Sequence, residues 1–182
     1  MSTLTVFNVA NASVTHEFEK VFREHSPFVY HTAYSVTGRP EDAEDVVQTI
    51  FLRLLRRGFP PGFAANPKAY LYRAAINVSL DAVRLRRRDR QIAEQQLATP
   101  PDTSEPADSL EFESEERRRL LDAMAQLNPR MVEVLVLHYE HDRSDAEIAK
   151  LLGKSRGVIA VTLYRARARL RKLLRTGPGE NR

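Results

Sequence analysis

The sequence predicts an all-α protein: two small helical domains joined by a flexible, acidic, proline-rich linker, with a helix-turn-helix in the C-terminal domain. Three observations lead there. Apolar residues recur at helical spacing along most of the chain, without a convincing alternating strand and with few glycines. One polar run, Thr99-Pro100-Pro101-Asp102-Thr103-Ser104-Glu105-Pro106, interrupts that pattern. Beyond it, Ser144-Asp145-Ala146-Glu147 has the spacing of a capping box, and Gly153 and Ser155 are placed as the turn and the next cap.

Residues 1–14 lack the basic start and long apolar core of a secretory signal and read as a disordered leader. Phe18, Val21, Phe22, Phe28, Val29 and Ala33 then trace one face of a first helix, which stops near Gly38-Arg39-Pro40. The second helix is the clearest. Pro40 suits a first turn, the acids Glu41, Asp42, Glu44 and Asp45 complement the positive dipole end, Arg56 and Arg57 the other, and Gly58 caps it. Its stripe is Ala43, Val46, Val47, Ile50, Phe51, Leu54 and Leu55. Asn66-Pro67 reads as an N-cap with proline at the first position of a third helix. That helix turns Tyr70, Leu71, Ala74, Val78, Ala82 and Leu85 inward and ends in an arginine run. These helices enclose a domain over residues 15–90, and the linker occupies 91–109.

The second domain spans 110–175, and a Gly/Pro-rich disordered tail fills 176–182. Leu120, Leu121, Met124 and Leu127 form one stripe; Asn128-Pro129 opens a helix carrying Met131, Val132, Leu135 and Tyr139. The capping-box helix buries Ile148, Ala149, Leu151 and Leu152, and the helix after Ser155 buries Val158 or Ile159 together with Leu163. A second helix of this kind lies in the DNA major groove with its N-terminal residues toward base edges. Arg156 suits a guanine, and Val158, Ala160 or Val161 suit thymine methyls. Arg165, Arg167, Arg169, Arg171 and Lys172 are placed for phosphates.

Charge segregates along the chain. Residues 84–90 hold five arginines around one aspartate; residues 91–116 hold eight acids and no lysine or arginine; residues 143–175 hold ten basic residues against two acids. With a net charge of +4, this describes basic surfaces for a polyanion separated by an acidic connector. The absence of cysteine excludes a disulfide scaffold and a thiolate metal site and fits the cytoplasm. No apolar run reaches the roughly 20 residues of a membrane-spanning helix.

Three ordered blocks resemble the sigma factors of bacterial RNA polymerase, sigma-70 family, in the small extracytoplasmic-function group. Residues 40–54, Pro-Glu-Asp-Ala-Glu-Asp-Val-Val-Gln-Thr-Ile-Phe-Leu-Arg-Leu, look like the family's polymerase-clamp-binding segment. Residues 69–84 resemble its segment for melting and reading the −10 element. The stretch from Leu127-Asn128-Pro129-Arg130 through Glu147-Ile148-Ala149 to Leu163-Tyr164-Arg165-Ala166-Arg167 is similar to its −35-binding domain. The resemblance covers roughly residues 18–174.

It implies a factor without catalysis or cofactor that binds core RNA polymerase and promoter DNA, melts the duplex, and in many members answers to an anti-sigma factor. It assigns Asp45, Gln48 and Leu52 to polymerase docking. Asn77 would read a flipped −10 base, since an amide engages a base edge bidentately; Tyr70 and Tyr72 would stack, and Arg84, Arg86, Arg87 and Arg88 would hold backbone. Ser155, Arg156, Thr162, Arg165 and Arg167 would contact the −35 duplex. Two departures stand out. Tyr70 replaces a common tryptophan, and Gly157-Val158-Ile159-Ala160-Val161-Thr162 stands where the family often has Gly-Thr-Val followed by Lys, Ser and Arg.

Two other readings compete. A stand-alone helix-turn-helix regulator explains the C-terminal half but leaves the second and third helices unemployed. An enzyme would use the carboxylates at 41–45 or a metal on His138 and His141, but acids in a first turn are ordinary dipole partners, and neither a phosphate-binding glycine loop nor a nucleophile elbow occurs.

Overall fold

The computed structural model describes residues 3–96 and 109–175, which are helical with short connections and contain no strand. Seven α-helices follow in order: α1 (Thr3–Thr37), α2 (Pro40–Arg57), α3 (Pro67–Gln96), α4 (Ser109–Met124), α5 (Pro129–Tyr139), α6 (Asp145–Leu152) and α7 (Arg156–Arg175), with a 3-10 turn at Phe63–Ala65.

The expected boundaries shift at both ends of the first domain. Helix α1 begins at Thr3, so most of the segment read as a disordered leader is helical; neither proline nor glycine interrupts the chain before Pro27. Helix α3 continues to Gln96, which takes Gln91–Gln96 from the expected linker. The proline-rich run and the 176–182 tail lie outside the described residues.

The caps form as the sequence predicts. Asn66 Oδ1 accepts from Ala69 N at 3.0 Å ahead of Pro67, and Asn128 Oδ1 accepts from Arg130 N at 3.0 Å ahead of Pro129. The first core lies among α1, α2 and α3: Val29 and Ala33 meet Ala43, Val46, Ile50, Phe51 and Leu54, closed by Phe63, Leu71 and Ala75. Leu55 falls outside it at 56 % exposure, because two charged arginines follow and the helix ends in solvent. Phe22 is also exposed, although its ring meets that of Phe51 edge-on at 4.8 Å.

The larger core crosses the domain boundary. Val36, Tyr72, Ile76 and Leu80 from the first half share one apolar cluster with Met124, Leu127, Val132, Leu135, Ile148, Ile159 and Leu163 from the second. Helix α3 touches α4, α5 and α6 as well as α1 and α2. It therefore buries two faces, Leu71 and Ala75 toward its own domain and Tyr72, Ile76 and Leu80 toward the other. This corrects the inward stripe drawn from periodicity: Tyr70 and Leu85 are exposed, and the buried set sits about one residue further along. An apolar arc that serves two partners is too wide for one stripe to phase.

Helix α5 is likewise enclosed, with Val132, Val134, Leu135, Val136 and Leu137 all buried. Gly38, at φ 72°, ends α1, and a side chain there would meet Leu121 of α4 at once, so the two domains close over a glycine.

Candidate nucleic-acid interface

The helix-turn-helix is built from its caps. Ser144 N donates to Glu147 Oε2 at 2.9 Å while Glu147 N donates to Ser144 Oγ at 3.4 Å. The Ser144 hydroxyl bond, joined by the Ser144 backbone and Arg143, holds the Glu147 carboxyl down to about 2. Gly153 takes a left-handed turn (φ 65°), and its N–H returns to the Ala149 carbonyl. Ser155 Oγ then accepts from Val158 N at 3.4 Å and starts α7. Ile159, Leu163 and Ala166 point into the core, which resolves the choice between Val158 and Ile159.

The opposite side of α7 is open. Gly157, Val158, Ala160, Val161, Tyr164 and Arg165 are exposed, with Val158 and Val161 each at 49 % and Tyr164 at 74 %. Helix α7 packs on α4, α5 and α6, leaving this face to solvent. Three of the residues assigned to DNA make internal bonds. The Thr162 hydroxyl donates to the Val158 carbonyl at 2.7 Å, Ser155 is spent as the cap, and Arg167 donates to Tyr139 Oη at 2.7 Å with His138 Nε2 at 3.1 Å. Arg156 and Arg165 remain outward. Tyr139 is exposed, and its hydroxyl accepts from this arginine.

Helix α3 presents Asn77 and Arg88 to solvent and Tyr70 half-exposed against Phe63, ring centroids 5.4 Å apart. Tyr72 is 0 % exposed, and its hydroxyl donates to the Glu133 carbonyl at 2.5 Å. Burial pushes that phenol well above its ordinary range, with the nearby Glu133 carboxylate adding to it. Arg84 Nε donates to the Ala125 carbonyl at 3.0 Å, Arg86 pairs with Asp42 at 2.7 Å and with the Thr37 carbonyl at 3.0 Å, and Arg90 grips both Asp122 oxygens at 2.7 and 2.9 Å. The basic end of α3 is thus partly turned onto α4 and its flanking loop. On α2, Asp45, Gln48 and Leu52 share an exposed face opposite the buried stripe.

His138 and His141 turn to different partners: the first to Arg167, the second to Thr32 Oγ1 at 2.9 Å. Among the described residues, no three His, Asp or Glu side chains gather as a metal site would require.

Comparison with known proteins decides the family. Residues 21–90 match Sigma-70 region 2 and residues 117–170 match Sigma-70, region 4. The chain is 36 % identical over 164 residues to the RNA polymerase sigma factor CarQ of Myxococcus xanthus, covering 86 % of this chain and 88 % of that protein. It belongs to the sigma-70 family. It is also 30 % identical over 155 residues to the ECF RNA polymerase sigma factor SigL of Mycobacterium tuberculosis (strain CDC 1551 / Oshkosh), covering 85 % and 86 % of the two chains, which places this sigma factor in the extracytoplasmic-function group. Among solved structures, CnrH in complex with the cytosolic domain of CnrY aligns with a TM-score of 0.52 at 23 % identity, over 88 % of this chain and 89 % of that one; the likeness is one of fold.

Region 2 of this sigma factor therefore comprises the end of α1 with α2 and α3, and region 4 comprises α4 to α7. Sequence reasoning missed the contact between them. Its signals were present as adjacent apolar pairs, Leu71-Tyr72 and Ala75-Ile76, which give α3 its second face.

Proposed function

We propose that this sigma factor binds core RNA polymerase through the exposed α2 face of Asp45, Gln48 and Leu52, and that it reads promoters with α3 and α7. In this reading Asn77 accepts a flipped −10 base and Tyr70 offers a stacking surface, while Arg87 and Arg88 hold the backbone. Tyr72 and Arg84 join them once region 4 leaves α3, whereas Arg86 is held within its own domain by Asp42 and the Thr37 carbonyl. Arg156 and Arg165 contact the −35 duplex, with Arg156 at a base edge and Arg165 on phosphate. The chemistry is recognition and strand opening, with no catalysis by the factor, and it takes place in the cytoplasm, where polymerase is.

One observation carries the proposal. A single chain pairs a region-2 bundle, its α2 face open, with a helix-turn-helix whose second helix is open to solvent. A stand-alone regulator has no use for the first. Affinity capture with purified core polymerase separates the two readings. Stoichiometric binding to core, with specific DNA binding appearing only in the complex, supports the proposal; tight duplex binding without any core binding overturns it.

A further inference from the structure

We infer that the −35 element of this sigma factor is read through the methyl groups of adjacent thymines, contacted by Val158 and Val161, with a single polar base contact from Arg156. The inference rests on the proposed role of α7 at the −35 duplex and specifies how that duplex is chosen.

The N-terminal two turns of a recognition helix are the part that reaches base edges. In α7 those turns contain few polar groups that are not already engaged. Ser155 Oγ accepts from Val158 N, and the Thr162 hydroxyl is given to the Val158 carbonyl at 2.7 Å. Further along, Arg167 is held by Tyr139 and His138. The residues left facing outward are Arg156, Gly157, Val158, Ala160 and Val161.

An apolar side chain pressed on a base edge strips water from donors and acceptors that it cannot satisfy. The thymine C5-methyl is the apolar group on the major-groove edge, so a valine pair favours thymine there. Val158 and Val161 lie three residues apart, a rise of about 4.5 Å along the helix, close to the roughly 3.4 Å separation of neighbouring base pairs. Gly157 and Ala160 beside them are small, and nothing lies within 4 Å of where a Gly157 side chain would begin, so the helix can seat deeply. The occupant is DNA and not an apolar protein surface, because Arg165 lies one turn beyond Val161 on the same open side and Arg156 is exposed at the start of the helix.

The test uses holoenzyme assembled from the full chain and core polymerase. A −35 element is selected from random duplexes, and each thymine is then replaced by deoxyuridine, which removes only the methyl. At two adjacent positions the replacement should weaken promoter binding about fourfold each, the effect of one buried methyl. Val161→Ala should weaken binding to the thymine template and abolish the thymine–uracil difference at one of them. A selected element without adjacent thymines, indifference to uracil, or equal loss on both templates with Val161→Ala overturns the inference while initiation itself still supports the sigma reading. Unchanged thymine-template binding by Val161→Ala also overturns it and assigns the stripe to a protein partner. Failure to initiate on any template removes the reading beneath it as well.

Discussion

The Tyr72 hydroxyl donates to the Glu133 carbonyl at 2.5 Å, tying α3 of region 2 to α5 of region 4. The same phenol would have to be exposed to stack on a base. Around it, Arg73 Nη2 reaches the Leu152 carbonyl at 2.8 Å and Asn66 Nδ2 the Leu151 carbonyl at 3.1 Å. Region 4 thus covers part of the α3 surface to which the proposed function assigns single-stranded DNA, and in that proposal the two arrangements are mutually exclusive at Tyr72.

Tyr72→Phe keeps the ring and removes the bond. It should weaken interdomain packing by about 1–2 kcal/mol, the cost of leaving a buried acceptor without its donor. That corresponds to a roughly 5- to 30-fold shift toward separated domains. The chain has no native cysteine, so a dye pair placed by Arg53→Cys and Arg171→Cys reports domain separation directly by energy transfer. An unchanged distance distribution would show that the bond contributes nothing to closure.

Closure should also weaken with acid. His141 sits against Phe28 and Tyr72 and bonds Thr32, and burial, with Lys68, His31 and Arg143 adding positive charge around it, lowers it from 6.5 to about 4. Separated domains return it to its ordinary value, so they take up the proton first. The contribution to closure is complete above about pH 6.5, falls as pH drops from there to about 4, and is constant below. Allowing for partial exposure of the ring, this is about 1–2 kcal/mol. The same energy-transfer pair followed from pH 7.5 to pH 5 should show opening, and His141→Phe should flatten the dependence.

Asp45 tests the docking face. Asp45→Lys reverses an exposed charge on α2 without touching the buried stripe. Core affinity should fall about tenfold, with thermal unfolding followed by circular dichroism unchanged. Equal affinity would place docking elsewhere.

Asn77→Ala separates DNA reading from assembly. Loss of a bidentate amide contact of about 1–3 kcal/mol should reduce initiation on duplex promoters roughly 5- to 150-fold while polymerase affinity stays constant. An equal fall in both would make Asn77 a structural residue.

The sequence allowed the caps and the helix order to be anticipated, because they are local: Asn66-Pro67, Asn128-Pro129 and the Ser144/Glu147 box need only neighbours a few residues away. The helix-turn-helix followed from the same spacing. What escaped were facts set by distant partners. Tyr72 and Tyr70 are two residues apart with the same ring, yet one is enclosed by α5 and the other is half-open; periodicity cannot rank them when both faces of α3 are used. Arg167 read as a phosphate ligand because nothing in sequence places Tyr139, 28 residues earlier, beside it. Leu85, by contrast, falls on the inward stripe by spacing alone, yet it lies within the arginine run and points outward.

Single-round run-off transcription tests the whole account most directly. Core polymerase and this protein are mixed with linear duplex templates carrying randomised upstream sequence, and the RNA products are sequenced. The account predicts discrete start sites on templates that share two separated motifs, and none with core enzyme alone. The same profile with and without a helical, polymerase-free preparation of this chain would contradict it.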